Sequence, residues 1–269
     1  MSPATIPPLS SVKALTFDVF GTVVDWRSSV TEELMLRAYR KLSSDLPNVL
    51  KDRLENLKED DWGRFAQDWR DTYVHFVKSF NPETDAWKTI DEHHRDSLVE
   101  LLEEWGLKDL YTDTEITSLS LVWHRLAPWS DTVDGLRKLQ DSGKVVLATL
   151  SNGNNELVTD LNDFGDLGFQ QLFCAETFRV YKPDPRTYLG AARELGLEPG
   201  QVAMVACHMR DLKGAKECGL RTIYVERPRE EAWDKEGDEF KGARDWVDLW
   251  IAEGEDGLVS MAKNLLDVL

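Results

Sequence analysis

The sequence predicts an α/β protein, a doubly wound parallel sheet carrying an inserted helical domain. Apolar runs of strand length recur at "VKALTFDVF", "KVVLATLSN", "QVAMVAC" and "RTIYVER", without the alternation of a one-sided sheet. Segments of helical pattern separate the last three of them. Residues 27–127, lying between the first run and the second, have helical period and few strand signals.

The first run, "VKALTFDVF", ends on a carboxylate, Asp18, just before a glycine. The insert that follows carries five of the ten tryptophans, Trp62, Trp69, Trp87, Trp105 and Trp123. Large aromatics at helical spacing are read as helix–helix packing. His93 and His94 fall in an acidic helix and are read as solvated. The core resumes near Pro128, so the chain is divided into a core of residues 1–26 and 128–269 and a cap of residues 27–127. "SDTVDGLRKLQDSG" opens on Ser130 as its N-cap and stops at Gly143. "DPRTYLGAARELGL" and "RDLKGAKECGL" behave alike. The acidic "EEAWDKEGDEFKGARDWVDLW" is read as surface loop and helix without chemistry. Strand and helix alternating in this way call for a parallel sheet, whose ligands sit beyond the carboxyl ends of the strands. Asp18, Ser151 and His208 all fall at such ends.

Charge narrows the function. With 49 acidic against 32 basic residues, the net charge is −17, which disfavours nucleic acid and anionic membranes as partners. A small anionic substrate meets the same field, so its site must be locally basic. No apolar run approaches the ~20 residues of a membrane helix. "MSPATIPPLSSVKA" lacks the pattern of a secretory leader. Cys174, Cys207 and Cys218 are odd in number and widely spaced, and read as reduced thiols of a cytoplasmic protein.

Four segments in order, "FDVFGTVVDW", "LATLSNGN", "VYKPDPRTY" and "VACHMRDLKGA", resemble the four motifs of the haloacid dehalogenase superfamily. Each falls where a strand ends or a helix begins, and the helical insert stands where that family places its cap. In physical terms, Asp18 is a carboxylate that becomes nucleophilic when desolvated and oriented. Lys182 supplies the cation that keeps it ionised. Thr22 and Ser151 offer hydroxyls, and Asp211 orients the lysine.

Phe20 selects the branch. Phosphatases of the superfamily carry a second aspartate two residues after the nucleophile, which protonates an alkoxide leaving group. Phenylalanine has no proton to give, and halide needs none. An aromatic here resembles the L-2-haloacid dehalogenase branch. That likeness implies attack of Asp18 on C2 of a short 2-haloacid with inversion, an aspartyl ester, and its hydrolysis to a 2-hydroxy acid. It further implies that Ser151 and Lys182 receive the substrate carboxylate, while Asn152 and a cap arginine receive the halide. Arg70 is chosen for that arginine, with Arg64 as its rival. Tyr188 matches a family tyrosine beside the site or packs behind it.

The best-known members carry asparagine where this chain has His208, and an aromatic where it has Arg210. His208 is read either as orienting water or as bonding within the site floor. Arg210 adds a donor to the halide cradle, narrows it, or points away. No metal and no cofactor is expected, and pairing as a homodimer fits the likeness. Two rivals stand beside this reading: a magnesium-dependent phosphatase acting on activated phosphates, and a non-catalytic small-acid binding protein.

Overall fold

A computed structural model of the chain describes residues 8–269, so the stretch read as lacking a leader lies mostly outside the described residues. Six strands form one parallel sheet: β1 (Ala14–Phe17), β2 (Val146–Ser151), β3 (Gln171–Cys174), β4 (Val202–Ala206), β5 (Arg221–Val225) and β6 (Leu249–Ile251). Their spatial order is β3-β2-β1-β4-β5-β6. The four apolar runs supply β1, β2, β4 and β5. β1 and β4 are buried along their whole length, because helices cover both faces of a central parallel strand.

The sheet's edges depart from the sequence reading. β3 was not anticipated, and β6 corrects the reading of the acidic C-terminal stretch as loop and helix only. Three residues are too few to show a period. Pairing of Leu249 and Ile251 with Ile223 and Val225 of β5 is what makes β6 a strand.

The described chain divides into two compact units, Asp25–Ala127 and the remainder. The first holds α1 (Trp26–Leu42), α2 (Asn48–Asn56), α3 (Glu59–Ser79), α4 (Ile90–Glu104) and α5 (Asp113–Ser120). Asp25 caps α1 by accepting the Ser28 amide. Thr89 with Glu92, and Thr112 with Glu115, form reciprocal capping boxes that fix the starts of α4 and α5.

The core of this unit is aromatic. Trp26, Trp69 and Trp123 are fully buried, and Trp69 meets Trp123 edge-on at 5.3 Å. His94 belongs to the same cluster, stacked on Trp123 at 4.5 Å and 1% exposed. His93 stacks on Phe76. The expectation that both are solvated is corrected for His94, whose ring α4 turns inward; His93 is half-buried.

The sheet unit adds α6 (Thr132–Ser142), α7 (Asn155–Phe164), α8 (Ala175–Phe178), α9 (Pro185–Glu194), α10 (Met209–Glu217), α11 (Asp238–Gly242) and α12 (Gly257–Leu266). α6 follows Asp131, not Ser130, and the Asp131 carboxylate binds Arg227 instead of the helix amides. It ends at Gly143 in the left-handed region, as the sequence indicates. One apolar core joins β2 and β4 to α9 and α10, through Leu150, Met204, Tyr188, Ala191 and Leu212. Among the described residues no helix is long and apolar enough to cross a membrane.

Chain order reverses at β1, which pairs with β2 on one side and β4 on the other. The crevice beyond the carboxyl ends of β1 and β4 is therefore the switch point where ligands bind in such sheets.

Candidate active site

Asp18 leaves β1 at that crevice. Its amide donates to the Val205 carbonyl at 2.9 Å, extending the β1–β4 ladder by one residue. The chain then turns: Val23 N–H returns to the Val19 carbonyl, and Gly21 N–H reaches the Val24 carbonyl. Gly21 takes φ +85°, a conformation that an L side chain resists. The turn brings Thr22 back over Asp18, and its hydroxyl donates to Asp18 Oδ2 at 2.8 Å. That hydroxyl in turn accepts the Cys207 amide at 3.0 Å, tying the loop after β1 to the loop after β4.

Lys182 enters from the loop before α9. Its backbone amide donates to Asn152 Oδ1 at 2.7 Å, so the side chain after β2 holds the lysine's own backbone in place. The ammonium lies 2.9 Å from Asp18 Oδ1 and 2.5 Å from Asp211 Oδ2. Tyr188 donates its hydroxyl to Asp211 Oδ1 at 2.7 Å. The three charged groups are almost completely enclosed, each side chain between 6% and 11% exposed. Enclosure strengthens every charge–charge term among them.

Protonation follows. Burial alone would push Asp18 up, but the Lys182 charge and hydrogen bonds from His208 and Lys182 hold it well below the usual carboxylate range. Burial works against the Lys182 charge, yet Asp18 and Asp211 together raise it above the ordinary lysine value. Asp211 is pushed up, by burial first and by the Asp18 charge; Lys182 acts in the opposite sense. Of the two carboxylates on Lys182, Asp18 is the one held low.

His208 stands at the start of α10. Its Nδ1 lies 3.1 Å from Asp18 Oδ2 and its Nε2 3.3 Å from Glu230 Oε2. Burial disfavours the charged ring, but hydrogen bonds to Asp18, Cys207 and Glu230 favour it, and its pKa is raised well above the ordinary histidine value. Burial pushes the Cys207 thiol up, which keeps it neutral.

Asp18, Thr22, Lys182, Asp211 and His208 therefore form one hydrogen-bonded cluster, and Tyr188 reaches it through Asp211. Tyr188 is wholly buried, with its hydroxyl on Asp211. Ser151 is buried at the end of β2, where its Oγ accepts the Gly153 amide. Phe20 is buried in the turn after Asp18. Arg210 is exposed and, among the described residues, makes no hydrogen bond or ion pair with the cluster. In the helical unit the Arg70 guanidinium lies 4.5 Å from the Tyr73 ring centre and 5.6 Å from that of Trp26. Arg64 is 71% exposed and pairs with Asp61.

Sequence reasoning missed Cys207, Glu230 and Arg227. Cys207 stands inside the fourth motif, where the sequence marks it only as a thiol. Glu230 and Arg227 lie beyond the last strand run in a charged loop, with no local signal. Asp18, Cys207 and His208 offer ligand atoms within 4.8 Å of one another. That set of oxygen, sulfur and imidazole does not suit magnesium, which prefers oxygen donors throughout.

Such an arrangement can present one ionised oxygen to an electrophilic carbon. Oδ2 is occupied by two donors, while among the described residues Oδ1 carries only the ammonium contact and keeps a lone pair for bond formation.

Residues 12–219 match the family described as haloacid dehalogenase-like hydrolase. A (S)-2-haloacid dehalogenase 4A of Burkholderia cepacia is 28% identical over 225 residues, 81% of this chain and 85% of that protein. Among solved structures, a defluorinating L-2-haloacid dehalogenase is 30% identical with a TM-score of 0.78, covering 95% of each chain. Another L-2-haloacid dehalogenase is 34% identical with a TM-score of 0.77, covering 95% of this chain and 99% of its own.

Proposed function

This chain belongs to the haloacid dehalogenase-like hydrolases, and from that premise we propose that it converts short L-2-haloacids to 2-hydroxy acids with inversion at C2. Asp18 Oδ1 attacks C2 from the side opposite the halide. The carbon–oxygen bond forms as the carbon–halogen bond breaks, and the halide leaves with the bonding pair. Water then adds to Cγ of the aspartyl ester. Collapse breaks the Cγ–Oδ1 bond, one proton of the water ends on the product hydroxyl, and the other passes through Asp211 to solvent.

One observation carries this reading. Asp18 is an enclosed carboxylate held ionised by Lys182, and the residue two places on, Phe20, has no proton to donate. Positioning and fixed charge do the rest. Ser151 and Lys182 receive the substrate carboxylate, which answers the need for local positive charge in a chain of net charge −17. Asn152 receives the halide. Asn152 uses its oxygen on the Lys182 backbone and so presents its amide nitrogen as the donor. Of the two arginines of the helical unit, Arg70 is set against two aromatic rings, while a surface carboxylate engages the exposed Arg64. Two copies pair through the helical unit, where Tyr39 and Leu36 of α1 expose apolar surface; light scattering on the purified protein tests it.

The names of the relatives, (S)- and L-2-haloacid dehalogenases, support the same choice. A magnesium-dependent phosphatase is disfavoured by Phe20 and by the sulfur donor beside Asp18.

The test is halide release from both enantiomers of 2-chloropropionate, with and without EDTA, for the native protein and Asp18→Asn. Release from the L-enantiomer alone, indifferent to EDTA and absent in the variant, is expected. Turnover in heavy-oxygen water should also place label in the Asp18 carboxylate. Loss of activity with EDTA, or product formed without that label, overturns the reading.

A further inference from the structure

His208 is flanked by two acceptors that cannot donate when ionised. Asp18 Oδ2 lies 3.1 Å from Nδ1, and Glu230 Oε2 lies 3.3 Å from Nε2. A neutral imidazole has one N–H and can satisfy only one of them. Only the imidazolium donates to both. The Glu230 side chain is 5% exposed, so when ionised it acts on the ring with little screening. Cys207 Sγ, 3.6 Å from both ring nitrogens, bears on the ring as a neutral thiol.

The main chain is shaped for this carboxylate. Gly21, the turn residue between Asp18 and Thr22, leaves the space that Glu230 fills; a Cβ there would collide with Glu230 Oε2. Glu230 thus reaches the site from beyond β5, passing over the turn that carries the nucleophile. The two oxygens of Asp18 are divided between different donors: Lys182 holds Oδ1, while Thr22 and His208 hold Oδ2.

We infer that His208 is a catalytic residue of the second half-reaction, its Nδ1–H donating to Oδ2 as the oxyanion of ester hydrolysis, and that Glu230 is the positioning residue that keeps that donor charged and aimed. This rests on the covalent aspartyl ester proposed above. When Oδ1 bonds to C2, Oδ2 becomes the ester carbonyl oxygen. Water adds to Cγ and the carbonyl electron pair moves onto Oδ2, where His208 and Thr22 already point. The pair returns as the Cγ–Oδ1 bond breaks, and the ring neither gains nor loses a proton. Such donors, fixed before charge develops, help the step in which charge appears on Oδ2 more than the step in which charge leaves Asp18 with the halide. The same contacts slightly blunt Asp18 as a nucleophile in the first step. The arrangement therefore favours hydrolysis over alkylation.

Rapid-quench kinetics with L-2-chloropropionate tests it, following halide and 2-hydroxy acid separately, with mass analysis of the quenched protein. The variants are Glu230→Gln, Glu230→Asp and His208→Asn, each checked for native circular dichroism and melting. For Glu230→Gln the expected result is unslowed formation of the ester, seen as a burst of up to one halide per active site, with product release slowed at least about tenfold and accumulation of the ester. His208→Asn should slow release by about 10²-fold, the usual cost of losing an oxyanion donor. Glu230→Asp, which keeps the charge, should restore part of the rate, as a purely structural role would not require. Equal slowing of burst and release, native release in Glu230→Gln, or no difference between the Gln and Asp variants overturns the inference while leaving the ester mechanism standing. Absence of heavy-oxygen label in Asp18 after multiple turnovers of the native protein in heavy-oxygen water overturns both.

Discussion

Arg227 grips Asp131 with two parallel hydrogen bonds, 2.6 and 2.9 Å, and turns its Nε to the carbonyl of Thr22 at 3.1 Å. Both side chains are under 10% exposed, and Asp131 also accepts the Leu258 amide. A guanidinium is suited to this because its donors lie in one rigid plane. The pair ties the starts of α6 and α12 to the loop bearing the nucleophile.

Removing one partner strands the other charge in the interior. Asp131→Ala or Arg227→Met is expected to lower unfolding free energy by about 3–5 kcal/mol, read as a shift in urea midpoint at unchanged slope. Arg227→Lys should not restore it, since a lysine cannot make the two parallel bonds and the third to Thr22. Near-native stability of Arg227→Lys would show that charge alone suffices.

Lys182→Met removes the cation from between Asp18 and Asp211. Halide release is expected to fall by at least about 10²-fold. The pH profile should change as well. Activity requires ionised Asp18 and is lost as pH falls through its pKa, which Lys182 holds below the usual carboxylate range. The acid limb of kcat/KM should therefore lie low in the native protein and move upward in the variant. An unmoved limb would mean that another group titrates there.

Gly21→Ala carries two penalties, a left-handed backbone and a collision with Glu230 Oε2. A loss of about 1–3 kcal/mol in stability is expected. In a Glu230→Ala background the collision disappears and only the backbone cost remains. Calorimetry on the four proteins of this cycle should show the second loss smaller than the first. Equal losses would place the whole cost in the backbone.

The helical unit should be sensitive to acid. Burial lowers the pKa of His94 well below its ordinary value, with the charges of His93, Arg70 and His124 acting in the same sense. Burial and Lys88 bring His93 to about 4, against the opposing charge of Asp96. Both rings are neutral in the folded state at a pH where the unfolded chain protonates them. The unfolded state thus binds more protons, and stability is lost as pH falls from about 6.5 toward 4. His94→Phe keeps the stack on Trp123 and should flatten part of that slope in melts at successive pH values. An identical slope would assign the acid sensitivity elsewhere.

Much of this site was legible in sequence because its parts are local. A carboxylate ending an apolar run, a glycine and threonine just after it, and a lysine before a helix-starting "PDP" each declare themselves within a few residues. Arg210 looked equally chemical in sequence, between His208 and Asp211, yet it lies exposed. Adjacency along a chain does not say which side chains face a common space.

By itself, then, the sequence determined the parallel sheet's four main strands, the carboxylate at the switch point, and the absence of a proton donor at Phe20. These follow from short-range patterns of apolar and turn residues. Only the tertiary structure decided that β6 joins the sheet, that His94 is enclosed, that Arg227 holds the Thr22 carbonyl, and that Glu230 meets His208 from 22 residues away. Charge pairs and edge strands of that kind are set by distances through space, which depend on packing of the whole sheet and leave no periodic trace along the chain.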